Sequence, residues 1–128
     1  MYRHNNSLLL TICYKKKIMN HEQLKLLNKM KKLIKEGKKK FSNRSDRNYV
    51  DELFQIGITE EEAWHKHILY LSQYDYIFDY KPSYRKSGNS LTFKKKINNI
   101  IVYIKLKIEY DNDEECTVCL SFHRDEWV

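Results

Sequence analysis

Chain-breaking residues are scarce in this sequence, with one proline and three glycines among 128 positions. Long flexible linkers draw on those residues, so they are excluded as a main theme; no internal repeat is visible either. A long apolar run is also missing. The richest stretch, Ser7-Leu8-Leu9-Leu10-Thr11-Ile12-Cys13-Tyr14, is too short to span a bilayer. It passes straight into Lys15-Lys16-Lys17 with no small-residue cleavage site, so neither a membrane helix nor a secretory signal is expected. The three cysteines, Cys13, Cys116 and Cys119, are an odd number that suits reduced thiols and a cytoplasmic setting. Cys116-x-x-Cys119 has no second pair to complete a zinc site, and residues three apart on a strand face opposite ways. Cys116 is expected in the core and Cys119 on the lining of the other side. His65 and His67 stand two apart on a helix, where side chains diverge. No metal and no cofactor is expected.

What is present suffices for one core. Hydrophobic residues make up 41% and aromatic residues 13%, which argues against disorder and for a single domain. Met19-Asn20-His21-Glu22-Gln23-Leu24 reads like an ordinary start, so residues 1–18 are expected to be an extension or an extra edge element, and residues 19–128 the domain. Lysine and arginine number 24 against 17 acidic residues, a formal charge of +7. A small domain this basic is predisposed to meet polyanions, RNA or DNA above all. Lysine-rich coding bias alone would produce the same balance, and an acidic protein partner would also suit it.

Periodicity divides the chain in two. Leu24, Leu26, Leu27, Met30, Leu33 and Ile34 recur at helical spacing from His21 to Lys35, with Gly37 at the C-terminal end. Lys38-Lys39-Lys40 then reads as a solvated helix end, with electrostatic steering of RNA as the alternative. Asn48 to Phe54 forms a candidate second helix with Tyr49, Val50, Leu53 and Phe54 inward, closed by Gly57. Thr59-Glu60-Glu61-Glu62 matches a capping box that opens a third helix, carrying Ala63, Trp64, Ile68, Leu69 and Leu71 and ending near Leu71-Ser72.

Beyond that the period falls to two. Leu91 to Ile97 is one strand, Asn98-Asn99 a two-residue turn, and Ile101 to Tyr110 a second strand with Val102, Ile104, Leu106 and Ile108 on its apolar side. Asp111 to Glu115 is an acidic loop, and Cys116 to His123 a last strand with Val118, Leu120 and Phe122 inward. The fold class is therefore α+β: N-terminal helices on one face of a three- to four-stranded antiparallel sheet, the other face polar and basic.

Register carries the reading towards chemistry, because turn length sets which residues oppose each other. With Asn98-Asn99 as the turn, Ile97 faces Ile100 and Lys94 faces Tyr103. With the acidic loop centred on Asp113, Tyr110 faces Cys116 and Tyr103 faces His123. Lys94, Tyr103 and His123 would form one cross-strand row, neighbours at about 4.5–5.5 Å between Cβ atoms. Lys96, Lys105 and Ser121 share that face. A cation, a phenol and an imidazole are what metal-free RNA cleavage requires: one group to take the 2′-OH proton, one to protonate the leaving 5′-oxygen, and a positive charge for the phosphate. Imidazole, titrating nearest neutrality, makes His123 the first acid/base candidate. The plainer reading is a basic face that binds phosphate without cutting, with His123 near a frayed end. Tyr74, Tyr76, Tyr80 and Tyr84 could stack on bases, although Tyr76-Ile77-Phe78 needs burial.

Several stretches resemble one known family. Leu71-Ser72 followed by Asp75-Tyr76, the strand Val102-Tyr103-Ile104-Lys105 and the ending Leu120-Ser121-Phe122-His123 are similar to the MqsR toxins, messenger-RNA interferases of the RelE-like fold. Residues 57–64, from Gly57 to Trp64, and Lys81-Pro82-Ser83-Tyr84 add to the likeness. It runs from about Asn20 to Trp127 and rests on the order of elements and the ending, not on one motif. The resemblance implies helices on a twisted antiparallel sheet, RNA cleavage without a metal, in the cytoplasm and with the ribosome as one setting, and inhibition by a cognate antitoxin. The family's catalytic set is a tyrosine with lysines and a glutamine. Tyr103 matches the tyrosine, His123 takes the place of the C-terminal lysine, Lys94 approximates the glutamine, and Lys81 stands for the remaining lysine. Lys96, Lys105, Lys107, Tyr84 and Arg85 would then bind RNA. A histidine in place of a lysine keeps the acid, but cut-site specificity does not carry over. A non-catalytic nucleic-acid-binding regulator and a basic adaptor protein are the alternatives for the same fold.

Overall fold

The chain lays a four-stranded sheet beneath its N-terminal helices, in the strand order β1-β4-β3-β2. The computed structural model describes residues 18–42, 48–77 and 90–125. Lys81, Tyr84 and Arg85, Tyr80 and the N-terminal extension except Ile18 lie outside them. Helix α1 spans His21–Lys35 and is opened by a capping box between Asn20 and Gln23. Its end is a Schellman turn: Gly37 N–H donates to the Ile34 carbonyl, Lys38 N–H to that of Leu33, and Gly37 takes φ +81°. Leu27, Met30, Leu33 and Ile34 are buried along one face.

The chain does not dissolve into a solvated lysine tail after α1, as composition suggests. Lys39–Phe41 forms strand β1, parallel to β4 with Lys40 opposite Val118 and Phe41 opposite Cys119. Three residues carry no legible period; what decides the matter is Phe41, which enters the core and stacks on Tyr49 at 4.5 Å, near Trp64 and Phe122.

Helix α2, Tyr49–Ile56, runs from the Asn48 cap to Gly57 at φ +91°. Its inward residues are Leu53 and Ile56 with Tyr49 alongside, not Val50 and Phe54, which are 57% and 83% exposed. The correction is a matter of phase: the helix continues to Ile56, and Leu53 and Ile56 at spacing three set the buried stripe. Helix α3, Glu60–Glu62, has the expected capping box, with Thr59 Oγ1 accepting from the Glu62 N–H at 3.1 Å. It widens into a π turn over Ala63–His67 and tightens into a 3₁₀ turn over Ile68–Tyr70. Trp64, Ile68 and Leu71 are buried beneath it. A second 3₁₀ turn covers Gln73–Asp75, and Tyr76 then bridges to Phe93.

Strands β2 (Ser90–Ile97), β3 (Ile100–Asp111) and β4 (Glu114–Arg124) form an antiparallel meander. Both turns are two residues long with positive φ throughout: Asn98 at 52° and Asn99 at 64°, Asn112 at 55° and Asp113 at 66°. These are type I′ geometry, matched to the twist of the flanking strands. The Asn98 side chain also donates to the Ile56 carbonyl at 3.1 Å, tying the hairpin to α2. We expect Asn99→Val to cost about 1–2 kcal/mol, the usual penalty for a left-handed non-glycine residue. Urea unfolding would show the lowered midpoint, and an unchanged midpoint would mean the turn carries no such strain.

The helix-facing side of the sheet carries Leu91, Phe93, Ile97, Val102, Ile104, Leu106, Ile108, Cys119 and Phe122 into the core. Thr117 sits there too, fully buried, its hydroxyl donating to the Met30 carbonyl of α1 at 3.0 Å. The fold is thus α+β, with helices on a mostly antiparallel sheet that has one parallel pair. Among the described residues, no helix is long and apolar enough to cross a membrane.

Candidate functional site

The meander brings Lys94, Tyr103 and His123 into register: Lys94 opposes Tyr103 across β2 and β3, and Tyr103 opposes His123 across β3 and β4. The first pairing follows from the Asn98-Asn99 turn. The second arises by another route than loop length alone. The β3–β4 turn is Asn112-Asp113, so Tyr110 faces Glu115 and Cys116 faces Glu109. Register is one residue away from the value that would align Tyr103 with His123. A β-bulge corrects it: Leu106 pairs with Cys119 but Lys105 with Ser121, leaving Leu120 as the extra residue.

The bulge also reverses the expected faces of β4 near the turn. Cys119 points into the core, and burial drives its thiol pKa far above the ordinary range. Cys116 lies on the opposite, polar side across from Glu109, and Val118 across from Lys107, although both are buried. Cys116 and Cys119 therefore exchange the places that sequence suggested, and Val118 is not one of the core residues beneath the helices. Among the described residues, no group of three or more His, Cys, Asp or Glu could hold a metal ion.

At the row itself the rings of Tyr103 and His123 stack, centroids 5.3 Å apart and planes 20° from parallel. His123 Nδ1 lies 2.9 Å from the Arg124 carbonyl oxygen. A carbonyl only accepts, so Nδ1 carries a proton in either charge state of the ring. The sheet thereby holds the ring with one defined nitrogen available for chemistry.

Lys94 is held as well, by a residue that the sequence did not single out. Its ammonium lies 2.6 Å from Asp125 Oδ2, and the Asp125 side chain is only 3% exposed. The Asp125 N–H donates to the Ile101 carbonyl at 2.8 Å, continuing the ladder one residue past β4. The only cue was position: Asp125 lies two beyond His123 and shares its face. Lys105 and Lys107 stand on the same face, half-buried, the latter 3.8 Å from Glu109, and Lys96 is exposed on β2. Thr92 and Ser121 on this face are buried, so it is only partly open. At the His123 end a shallow cleft continues past Ser121 to Ser42, Tyr49 and Glu52. Glu52 was not anticipated, because nothing local links α2 to the end of β4.

No family model, curated protein or solved structure matches this chain. Function must therefore be inferred from the row and its surroundings.

Proposed function

We propose that this protein is a metal-independent endoribonuclease of the toxin type, acting on single-stranded RNA at the Lys94–Tyr103–His123 row. The observation that carries the reading is the row: a phenol and an imidazole in stacking contact, with a lysine across the next strand. In the reaction the ribose 2′-oxygen attacks the adjacent phosphorus, and the bond to the 5′-oxygen breaks. The products are a 2′,3′-cyclic phosphate and a 5′-OH. Tyr103 as the phenolate, or a neighbouring lysine as the free amine, accepts the 2′-OH proton, and His123 in its cationic form gives the Nε2 proton to the departing oxygen. Lys94 and Lys105 offset the charge that builds on the phosphate. Lys96 and Lys107 guide the strand, and the likeness to the MqsR toxins adds a messenger-RNA substrate, the cytoplasm and a cognate antitoxin to this proposal.

One feature favours the rival reading of a nucleic-acid-binding regulator without chemistry. Lys94 meets a buried carboxylate at 2.6 Å, which removes part of the row's positive charge. That reading predicts salt-dependent RNA binding and intact RNA. Inducible expression in bacteria, followed by 5′-end mapping of cellular RNA, separates the two. The ribonuclease reading expects growth arrest with new 5′-OH ends. Normal growth and uncut RNA in cells that hold soluble protein would reject it.

A further inference from the structure

Strand β1 stops at Phe41, opposite Cys119, while β4 runs on to Arg124. The Ser42 N–H still donates to the Cys119 carbonyl at 2.9 Å, which holds Ser42 at the end of β1. Helix α2 packs against β4, and the seam between them is the shallow cleft that reaches His123. Leu120, the extra residue of the bulge, lies along it. Phe41 and Phe122 give it apolar walls, and Ser42, Tyr49, Glu52 and Ser121 give it polar groups.

Two features decide what such a cleft would hold. The strand order places β1 and β3 on opposite sides of β4. Tyr103 on β3 stacks on the His123 ring, and the cleft approaches the same ring from the β1 and α2 side. Row and cleft therefore meet at one imidazole. The second feature is charge. Among the described residues that line the cleft, Glu52 is the one acid, half-buried, in a chain of formal charge +7. A carboxylate repels phosphate and only accepts hydrogen bonds, so it selects the neutral, donor-bearing part of a nucleotide, the base. Its two oxygens accept several bonds at once, so a base edge adds to the contacts Glu52 makes within the protein. Of the four RNA bases, guanine alone sets two N–H donors side by side, N1–H and the 2-amino group. Adenine and cytosine set one amino group beside an acceptor nitrogen, and uracil sets one N–H between two carbonyls.

We propose that this cleft binds a guanine base of single-stranded RNA, with Glu52 accepting from N1–H and the 2-amino group. The Ser42 and Ser121 hydroxyls supply donors for the guanine carbonyl, and the aromatic lining gives the flat ring a surface to stack on. The position of that base rests on the ribonuclease reading. His123 gives its proton to the leaving 5′-oxygen, which belongs to the nucleotide on the 3′ side of the cut. The guanine is then the base that follows the cut.

The test is binding of the full chain to 2′-O-methyl oligoribonucleotides, which lack the attacking hydroxyl, identical except for one central base. Guanine should bind about tenfold or more tighter than adenine, cytosine or uracil, the worth of a hydrogen bond to a charged group. Inosine, which keeps N1–H and lacks the 2-amino group, should fall between. Glu52→Gln should abolish the preference. The readout is the ratio among bases, because removing a negative charge strengthens the binding of every RNA. Equal binding of all the bases by the wild type, or a preference that survives in folded Glu52→Gln, overturns the subsite. Cleavage is read separately, in unmodified RNA. Cuts that precede guanine in the wild type and scatter in Glu52→Gln are expected. Cuts without base preference overturn the subsite and leave the ribonuclease standing, whereas guanine-selective binding to RNA that stays uncut does the reverse.

Discussion

Replacing His123 by alanine is expected to lower RNA cleavage by about 10²–10⁴-fold, the usual worth of a positioned general acid. The loss should fall on the chemical step more than on binding, because the imidazole enters as a proton donor and not as the main cation. Stability should change little. The ring is partly exposed and its neighbour's carbonyl holds it, so the chief loss is the stack on Tyr103, about 0.5–1.5 kcal/mol. The measurement is single-turnover cleavage of an end-labelled oligoribonucleotide, with thermal melting beside it. Tyr103→Phe is the informative companion, since it keeps the stack and removes only the phenol. A folded His123→Ala protein that cleaves at the wild-type rate would remove His123 from the mechanism.

The second large effect is on stability. Lys94→Met should destabilise the fold by about 3 kcal/mol, the lower end of the cost of removing one partner from a buried ion pair. The physical reason is the asymmetry of the pair: Asp125 is 3% exposed and Lys94 31%, so methionine replaces the lysine stem easily but takes a 2.6 Å ion pair from a carboxylate held out of water. Asp125→Asn in the same background should restore much of the loss, because the amide is cheap to bury where the charge is not. Chemical denaturation of the two single variants and the double variant gives the coupling directly. Additive effects across that cycle would mean that the pair contributes nothing specific. A large loss in Lys94→Met also warns that its activity reports folding together with chemistry, which makes His123 the cleaner probe of mechanism.

The row itself was legible in the sequence, though only half for the right reason. Asn98-Asn99 lies between two alternating strands, and a two-residue turn leaves no freedom in pairing Lys94 with Tyr103. The Tyr103–His123 pairing was anticipated from a loop centre one step off, and the Leu120 bulge makes up the difference. Bulges have no reliable signature when, as here, the extra residue is a leucine and not a glycine. The cost of that blindness appears at Cys116 and Cys119, whose faces were exchanged. Lys81, Tyr84 and Arg85 lie outside the described residues, so the site is drawn without them.

Local chemistry was enough for whatever depends on near neighbours. The period of α1, the box at Thr59, the stop at Gly57 and the change from period 3.6 to period 2 are all written within a few residues of where they act. Tertiary structure decided what depends on distant partners. Lys39–Phe41 becomes a strand because β4 offers an edge and the core has room for Phe41. Asp125 reaches Lys94 because two strands cross-link residues far apart in the chain. Lys95 parts from Lys94 and Lys96 because a strand turns alternate side chains to opposite faces, and only the assembled sheet defines which face the helices cover.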